Sequence, residues 1–293
     1  MLQRRNITVV ACLWAACVPA LAQAQDAPAR TFEAELSSAP HHVPSEPNVS
    51  VHVPAGFDAT GSLHLVVYLH GLRGCLPVLM GEGSTRCDAN AAPQLGWNLG
   101  AHHDAAGTNT IFVVPRLYYG KRGGQPGAFS KPGGFRTFLT DLLTGPLSTQ
   151  LGRRYTRDSI ASITLVAHSA GYETTIAILE RGEIDGLVRG VVLFDALYAF
   201  EERYARYTLA HADKGLHLVA IHLRGKPARN GNALHKRLLR ALGPERVAST
   251  NARELKATLA QRPFVFAQGR GPHAQVPQNH LAEVLGALGL PMR

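Results

Sequence analysis

Leu165-Val166-Ala167-His168-Ser169-Ala170-Gly171-Tyr172 closes one apolar run and opens a segment of helical spacing. Two readings compete for that serine. It is a helix cap, or it sits on a tight strand-to-helix turn that holds one hydroxyl out at the end of a buried strand. Two backbones nearly collide in such a turn, so the serine needs small neighbours, and Ala167, Ala170 and Gly171 supply them.

Outward from this stretch, the same kind of apolar run recurs. Residues 63–69, 110–114, 160–166, 190–194, 216–223 and 263–266 are near-continuous in aliphatic and aromatic side chains. Strands buried on both faces have this composition. Between the runs, helical spacing predicts helices over 90–105, 134–151, 170–182, 199–213, 231–242, 252–261 and 278–289. Alternation of this kind predicts an α/β fold, a mostly parallel central sheet with helices on both faces. Residues 31–37 and 49–53 alternate and fit edge strands. The 293-residue chain, 45% hydrophobic and 17% charged, has the bulk for one large core. The expected layout is a single domain over 48–293 behind an extended Ala/Pro-rich segment, 23–47.

Residues 1–22 read as an export signal: Arg4 and Arg5, an apolar stretch from Ile7, and a small-x-small site at Ala20–Ala22. The apolar stretch is about 16 residues, short of the roughly 20 that span a bilayer. Lipid attachment at Cys17 is the alternative. Two cysteines remain beyond the leader, Cys75 and Cys87, and in an exported chain they read as one disulfide. The protein is therefore expected to be periplasmic or secreted, without stable membrane insertion after cleavage. The net charge of +9 is spread along the chain with no aromatic-interleaved basic helix, which argues against nucleic acid as a partner.

Open parallel sheets place ligands beyond the carboxyl ends of their strands. A serine there is a nucleophile only with a base in reach and a carboxylate to orient that base. His273, in the Gly/Pro-rich loop after residues 263–266, is the expected base, with His280 as rival in the last helical segment. No Asp or Glu occurs from Arg224 to Leu242, so Asp195, directly behind the 190–194 run, is the expected acid rather than Asp185 or Asp213. The backbone N–H groups of Leu72 and Ala170 are the expected oxyanion donors. Arg73, Tyr118, Tyr119 and His168 are the candidate substrate contacts. Lys121, Arg122 and Phe129 share the long glycine-rich loop with the two tyrosines.

Taken in order, Tyr68-Leu69-His70-Gly71, Ala167-His168-Ser169-Ala170-Gly171, Asp195 and His273 resemble the α/β-hydrolase superfamily over roughly residues 50–290. Ala167 stands where a glycine is usual, and the acid comes one strand earlier than in most members. The resemblance implies a Ser-His-Asp hydrolase that forms an acyl-enzyme, with ester preferred over amide on family frequency. A peptidase or amidase of envelope peptides and a non-catalytic binder of envelope polymers remain the alternatives. Only about twenty residues separate Asp195 from the next run, too few for a large cap, so the substrate is expected to be bulky or polymeric. No His-Glu-x-x-His, phosphate-loop or Ser-x-x-Lys pattern occurs, and neither metal nor cofactor is expected.

Overall fold

In the computed structural model, residues 27–118, 124–184 and 186–293 are described. The predicted leader and Tyr119, Lys121, Arg122 and Asp185 lie outside them. The described strands are β1 (Arg30–Ala34), β2 (Val49–Val53), β3 (Leu63–Leu69), β4 (Ser84–Thr85), β5 (Gln94–Leu95), β6 (Ile111–Pro115), β7 (Ile160–His168), β8 (Val188–Phe194), β9 (His217–His222), β10 (Val247–Asn251) and β11 (Phe264–Gln268). The helices are α1 (Leu76–Met80), α2 (Leu99–Ala105), α3 (Gly134–Leu142), α4 (Ser148–Leu151), α5 (Gly171–Arg181), α6 (Glu201–His211), α7 (Lys226–Leu242), α8 (Leu255–Leu259) and α9 (Val276–Leu285).

Nine strands form one sheet in the order β1-β2-β6-β3-β7-β8-β9-β11-β10. β1 and β2 are antiparallel to their neighbours, and every pairing from β6 onward is parallel. Both faces are covered, which is why the strands are apolar throughout rather than alternating. Along β3, Leu65, Val67 and Leu69 enter one core, with Phe135 and Phe138 of α3, Ile178 of α5, Tyr204 of α6 and Leu234 of α7. Val66 and Tyr68 enter the other, with Leu79 of α1, Leu99 of α2, Leu255 of α8 and Leu281 of α9. The period-two alternation of side chains along a strand separates the two cores. In α7 the buried positions Pro227, Gly231, Leu234 and Leu238 recur at helical spacing, with the proline in the first turn, where its missing N–H costs nothing.

The chain after β3 goes to α1 on one face, and the chain after β7 goes to α5 on the opposite face. Neighbouring strands whose connections diverge in this way leave a crevice at their carboxyl ends.

Two expected helices differ from those observed, and one strand appears that was not expected. The helix expected over 90–105 is confined to 99–105, because residues 94–95 pair with 84–85 as a small ribbon. Pro93 brings no N–H to a helix, and Asn98, at φ +47, caps α2 through its side chain. The segment 134–151 is broken at Gly145 and Pro146 into α3, a wide turn and α4. β10 was not expected: in Val-Ala-Ser-Thr-Asn only Val247 is buried, as suits the edge strand of a sheet. At the other edge, β1 hydrogen-bonds to β2, so residues ahead of 48 contribute a strand to the sheet.

Candidate active site

β7 ends at His168 and α5 starts at Gly171, leaving two residues for the turn. Ser169 takes φ +53, the left-handed region that L side chains rarely adopt. Such strain persists only where the surroundings enforce it, and at this turn they do. A Cβ on Gly171 would lie 2.0 Å from the Leu69 carbonyl oxygen, and one on Gly71 would lie 2.5 Å from Ser169 Cβ. Ala167 is fully buried within β7, where a methyl group fits between Leu69 and Leu193. Ser169 N–H donates to Phe194 O at 3.2 Å, tying the turn to β8. The Ser169 hydroxyl has no hydrogen bond among the described residues and lines an open cleft.

At the end of β8, Asp195 is also left-handed, at φ +44, and its N–H donates to Ile221 O at 2.6 Å. Its carboxylate is buried, and each of its oxygens accepts a hydrogen bond. Oδ1 accepts from Leu223 N–H at 3.0 Å, and Oδ2 accepts from His273 Nδ1–H at 2.6 Å. Burial acts to raise its pKa, but the hydrogen bonds from His273 and Leu223 favour the charged form more strongly, so the pKa lies below its ordinary value. An ionised acceptor on Nδ1 places the imidazole proton there and leaves Nε2 with its lone pair. His273 begins a short turn after Gly269–Pro272 and lines the same cleft as Ser169.

Two further histidines hold these loops. His70 is buried, and burial pushes its pKa down to about 4. Its Nδ1–H donates to Gly71 O at 2.9 Å and its Nε2 accepts Leu117 N–H at 2.9 Å, so both partners are backbone groups that dictate the tautomer. His70 thereby couples the loop after β3 to the loop after β6. His168 is likewise buried and held near pKa 3, again mainly by burial. Its Nε2–H donates to the His273 carbonyl at 3.0 Å, and its ring lies 4.7 Å from the His273 ring and 5.3 Å from Trp97. Its polar edge is thus engaged with the loop that carries His273. The rival histidine, His280, is buried in α9. Its Nε2 accepts Arg270 N–H at 3.2 Å, bracing the same loop from beneath. Asp213 pairs with Arg246 at the surface.

The cleft holds about 300 Å³, and Leu72, Arg73, Val78, Leu79, Gln94 and Trp97 complete its walls. Neither the Leu72 N–H nor the Ala170 N–H is taken by a partner among the described residues. Ala170 stands at the start of α5, where the helix dipole favours negative charge. Gly124 packs against Ala170, which brings the loop after β6 to this rim. Tyr118 is 44% exposed and stacks edge-on with His41, outside the cleft lining, and Phe129 is fully buried in the core beside α3. Cys75 and Cys87 form a disulfide that ties the end of the loop after β3 to residue 87. Sequence reasoning missed Trp97 and Gln94. Their segment read as helical, and Trp97 could have been noticed only as one of two tryptophans in the chain. Among the described residues no cluster of three metal-ligating side chains occurs, and no helix is long and apolar enough to cross a membrane.

No family model matches the sequence, and no curated protein matches it at a significant level. Solved structures do. A ferulic acid esterase superposes with a TM-score of 0.54 at 14% identity, covering 90% of this chain and 98% of its own. An S-formylglutathione hydrolase from Agrobacterium tumefaciens gives 0.47 at 12% identity over 89% and 95% of the two chains. A glucuronoyl esterase from Solibacter usitatus gives 0.37 at 11% identity over 88% and 80%. The superposition with the ferulic acid esterase, together with the sheet order, shows that this chain has the α/β-hydrolase fold.

Proposed function

We propose that the protein is a serine hydrolase that cleaves a carboxylic ester through an acyl-enzyme on Ser169. In this mechanism His273 Nε2 takes the Ser169 proton as Oγ bonds to the carbonyl carbon. Asp195 keeps the proton of His273 on Nδ1 and stabilises the imidazolium that forms. The carbonyl oxygen becomes an oxyanion, held by the N–H groups of Leu72 and Ala170. Collapse expels the alcohol, which takes the proton from Nε2. Water then enters, activated by the same nitrogen, and releases the acid. The observation that carries this reading is the 2.6 Å Asp195–His273 hydrogen bond, with His273 and the strained Ser169 lining one cleft. Ser169 Oγ and His273 are not hydrogen-bonded here. Catalytic contacts of this kind commonly tighten only when substrate binds.

The absence of an inserted cap between β8 and β9, where only α6 and a short 3-10 turn at 212–214 intervene, supports a bulky or polymeric substrate. The disulfide supports an oxidising destination, the periplasm or the exterior, and a mature chain starting at Gln23 is the form expected there.

The test is labelling with a fluorophosphonate probe, followed by paired ester and peptide substrates. Wild type should be labelled and Ser169→Ala should not. Labelling of both, or of neither, refutes the reading. Peptide turnover without ester turnover would move the assignment to a peptidase. The N-terminal sequence of the exported protein checks the leader.

A further inference from the structure

The cleft has an asymmetry of charge that general ester hydrolysis does not require. Among the described residues Arg73 is the one arginine or lysine in its lining, and no described aspartate or glutamate joins it there. Its guanidinium makes no ion pair or hydrogen bond among the described residues, although Asp88 lines the next groove along and Arg73 reaches that groove too. The backbone at Arg73 is left-handed, at φ +60, a conformation that asparagine or glycine would hold with less strain. An arginine kept at such a position, unpaired, next to the Leu72 N–H, is placed for a partner that arrives with substrate. A second groove of about 460 Å³, which also has His273 in its lining, repeats the pattern. Arg224 is exposed there, and the acid in its lining, Asp195, is already committed to His273 and Leu223. A cationic side chain therefore stands in each of the two grooves that His273 lines, with no free carboxylate among the described residues of either lining.

Building on the serine-hydrolase reading, we propose that the enzyme selects esters that carry a carboxylate, and that Arg73 is the residue that pairs with it. A guanidinium binds a carboxylate through two parallel N–H···O bonds, which fixes orientation as well as charge. The carboxylate belongs either to the acyl part or to the departing alcohol. Two matched pairs of probes separate these: monomethyl adipate against methyl hexanoate, and 4-carboxyphenyl acetate against 4-carbamoylphenyl acetate. Rates are normalised to alkaline hydrolysis of each probe.

In at least one pair, wild type should favour the anionic ester by about tenfold in kcat/KM, carried mainly by KM, and the preference should shrink as salt is added. Arg73→Asn, which suits the left-handed backbone, should bring the ratio near unity, and Arg73→Lys should restore part of it. Equal ratios for wild type and Arg73→Asn, or no preference in either pair, overturn the proposal. A preference abolished by Arg224→Ala but not by Arg73→Asn overturns the assignment to Arg73. Turnover of the neutral esters that Ser169→Ala abolishes, without anionic preference, defeats this inference alone. Failure of all turnover and of fluorophosphonate labelling defeats the hydrolase reading with it.

Discussion

At the scale of single residues, the site rests on which atom carries which proton. Asp195 is buried, yet its pKa is lowered, because the His273 N–H and the Leu223 N–H both favour the charged form over the effect of burial. An amide in its place keeps the shape but presents an N–H or a weaker acceptor to Nδ1, so the imidazole tautomer is no longer dictated. Asp195→Asn is expected to lower kcat by roughly ten-thousandfold with little change in KM, read by steady-state kinetics. The same substitution tests the acid limb of stability. A carboxylate with a depressed folded pKa contributes stability that is complete above its unfolded value, near 4, and is lost as pH falls through the lower folded value. The stability gap between wild type and Asp195→Asn should thus be open at neutral pH and close below about pH 4, as measured by urea unfolding across pH. Ser169, Asp195 and His273 were each legible in sequence as polar residues behind apolar runs. His168 was legible only as a polar neighbour of the serine. Its bond to the His273 carbonyl spans 105 residues, and no local pattern encodes a contact of that reach.

At the scale of elements, the turn from β7 to α5 is steric before it is chemical. Gly171 has no room for a side chain, because the obstructing atom is the Leu69 carbonyl, part of a paired strand that cannot yield. Gly171→Ala is expected to destabilise the fold by about 3 kcal/mol or more and to remove fluorophosphonate labelling, monitored by thermal unfolding and by probe uptake. The loop after β3 is held by His70 at one end and by the Cys75–Cys87 bridge at the other. Closing a loop across a separation of 12 residues contributes about 3 kcal/mol through the unfolded state. Replacing both cysteines by serine should cost a comparable amount in denaturant unfolding. It should also raise KM, because Leu72 and Arg73 lie within the tethered loop. The strands of the parallel core were legible to within a few residues, since burial on both faces leaves a continuous apolar signature. The ribbon of β4 and β5 was not, because two-residue strands have no period to read, and β10 was not, because an edge strand buries too little to betray itself.

At the scale of the whole molecule, the chain keeps several histidines neutral in its interior. His70 and His280 titrate near 4, His103 and His168 near 3, in each case chiefly because burial disfavours the charged ring. In the unfolded chain they take up protons near 6.5. For a histidine whose folded pKa is depressed, the unfolded state binds more protons between the two values, so stability rises with pH through that window. Unfolding free energy is therefore expected to fall by at least about 3 kcal/mol between pH 7 and pH 4.5. Urea titrations at the two pH values check this, and substituting Phe for His103, which lies remote from the cleft, should shrink the difference.

What the amino-acid order determined by itself is local. The period of its apolar residues separated strand from helix, and the small residues around Ser169 announced a turn too tight for anything larger. Tertiary structure decided the rest. Strand order brought β8, β9 and β11 side by side, so that Asp195, Leu223 and His273 meet although they are far apart in sequence. It also seated Trp97 against His168 and left Arg73 facing a cleft with no acid among its described lining residues. The physical reason is one of range. Periodicity and backbone sterics act over a few residues, whereas the neighbours of a loop at a sheet's rim depend on how every strand packs between two layers of helices.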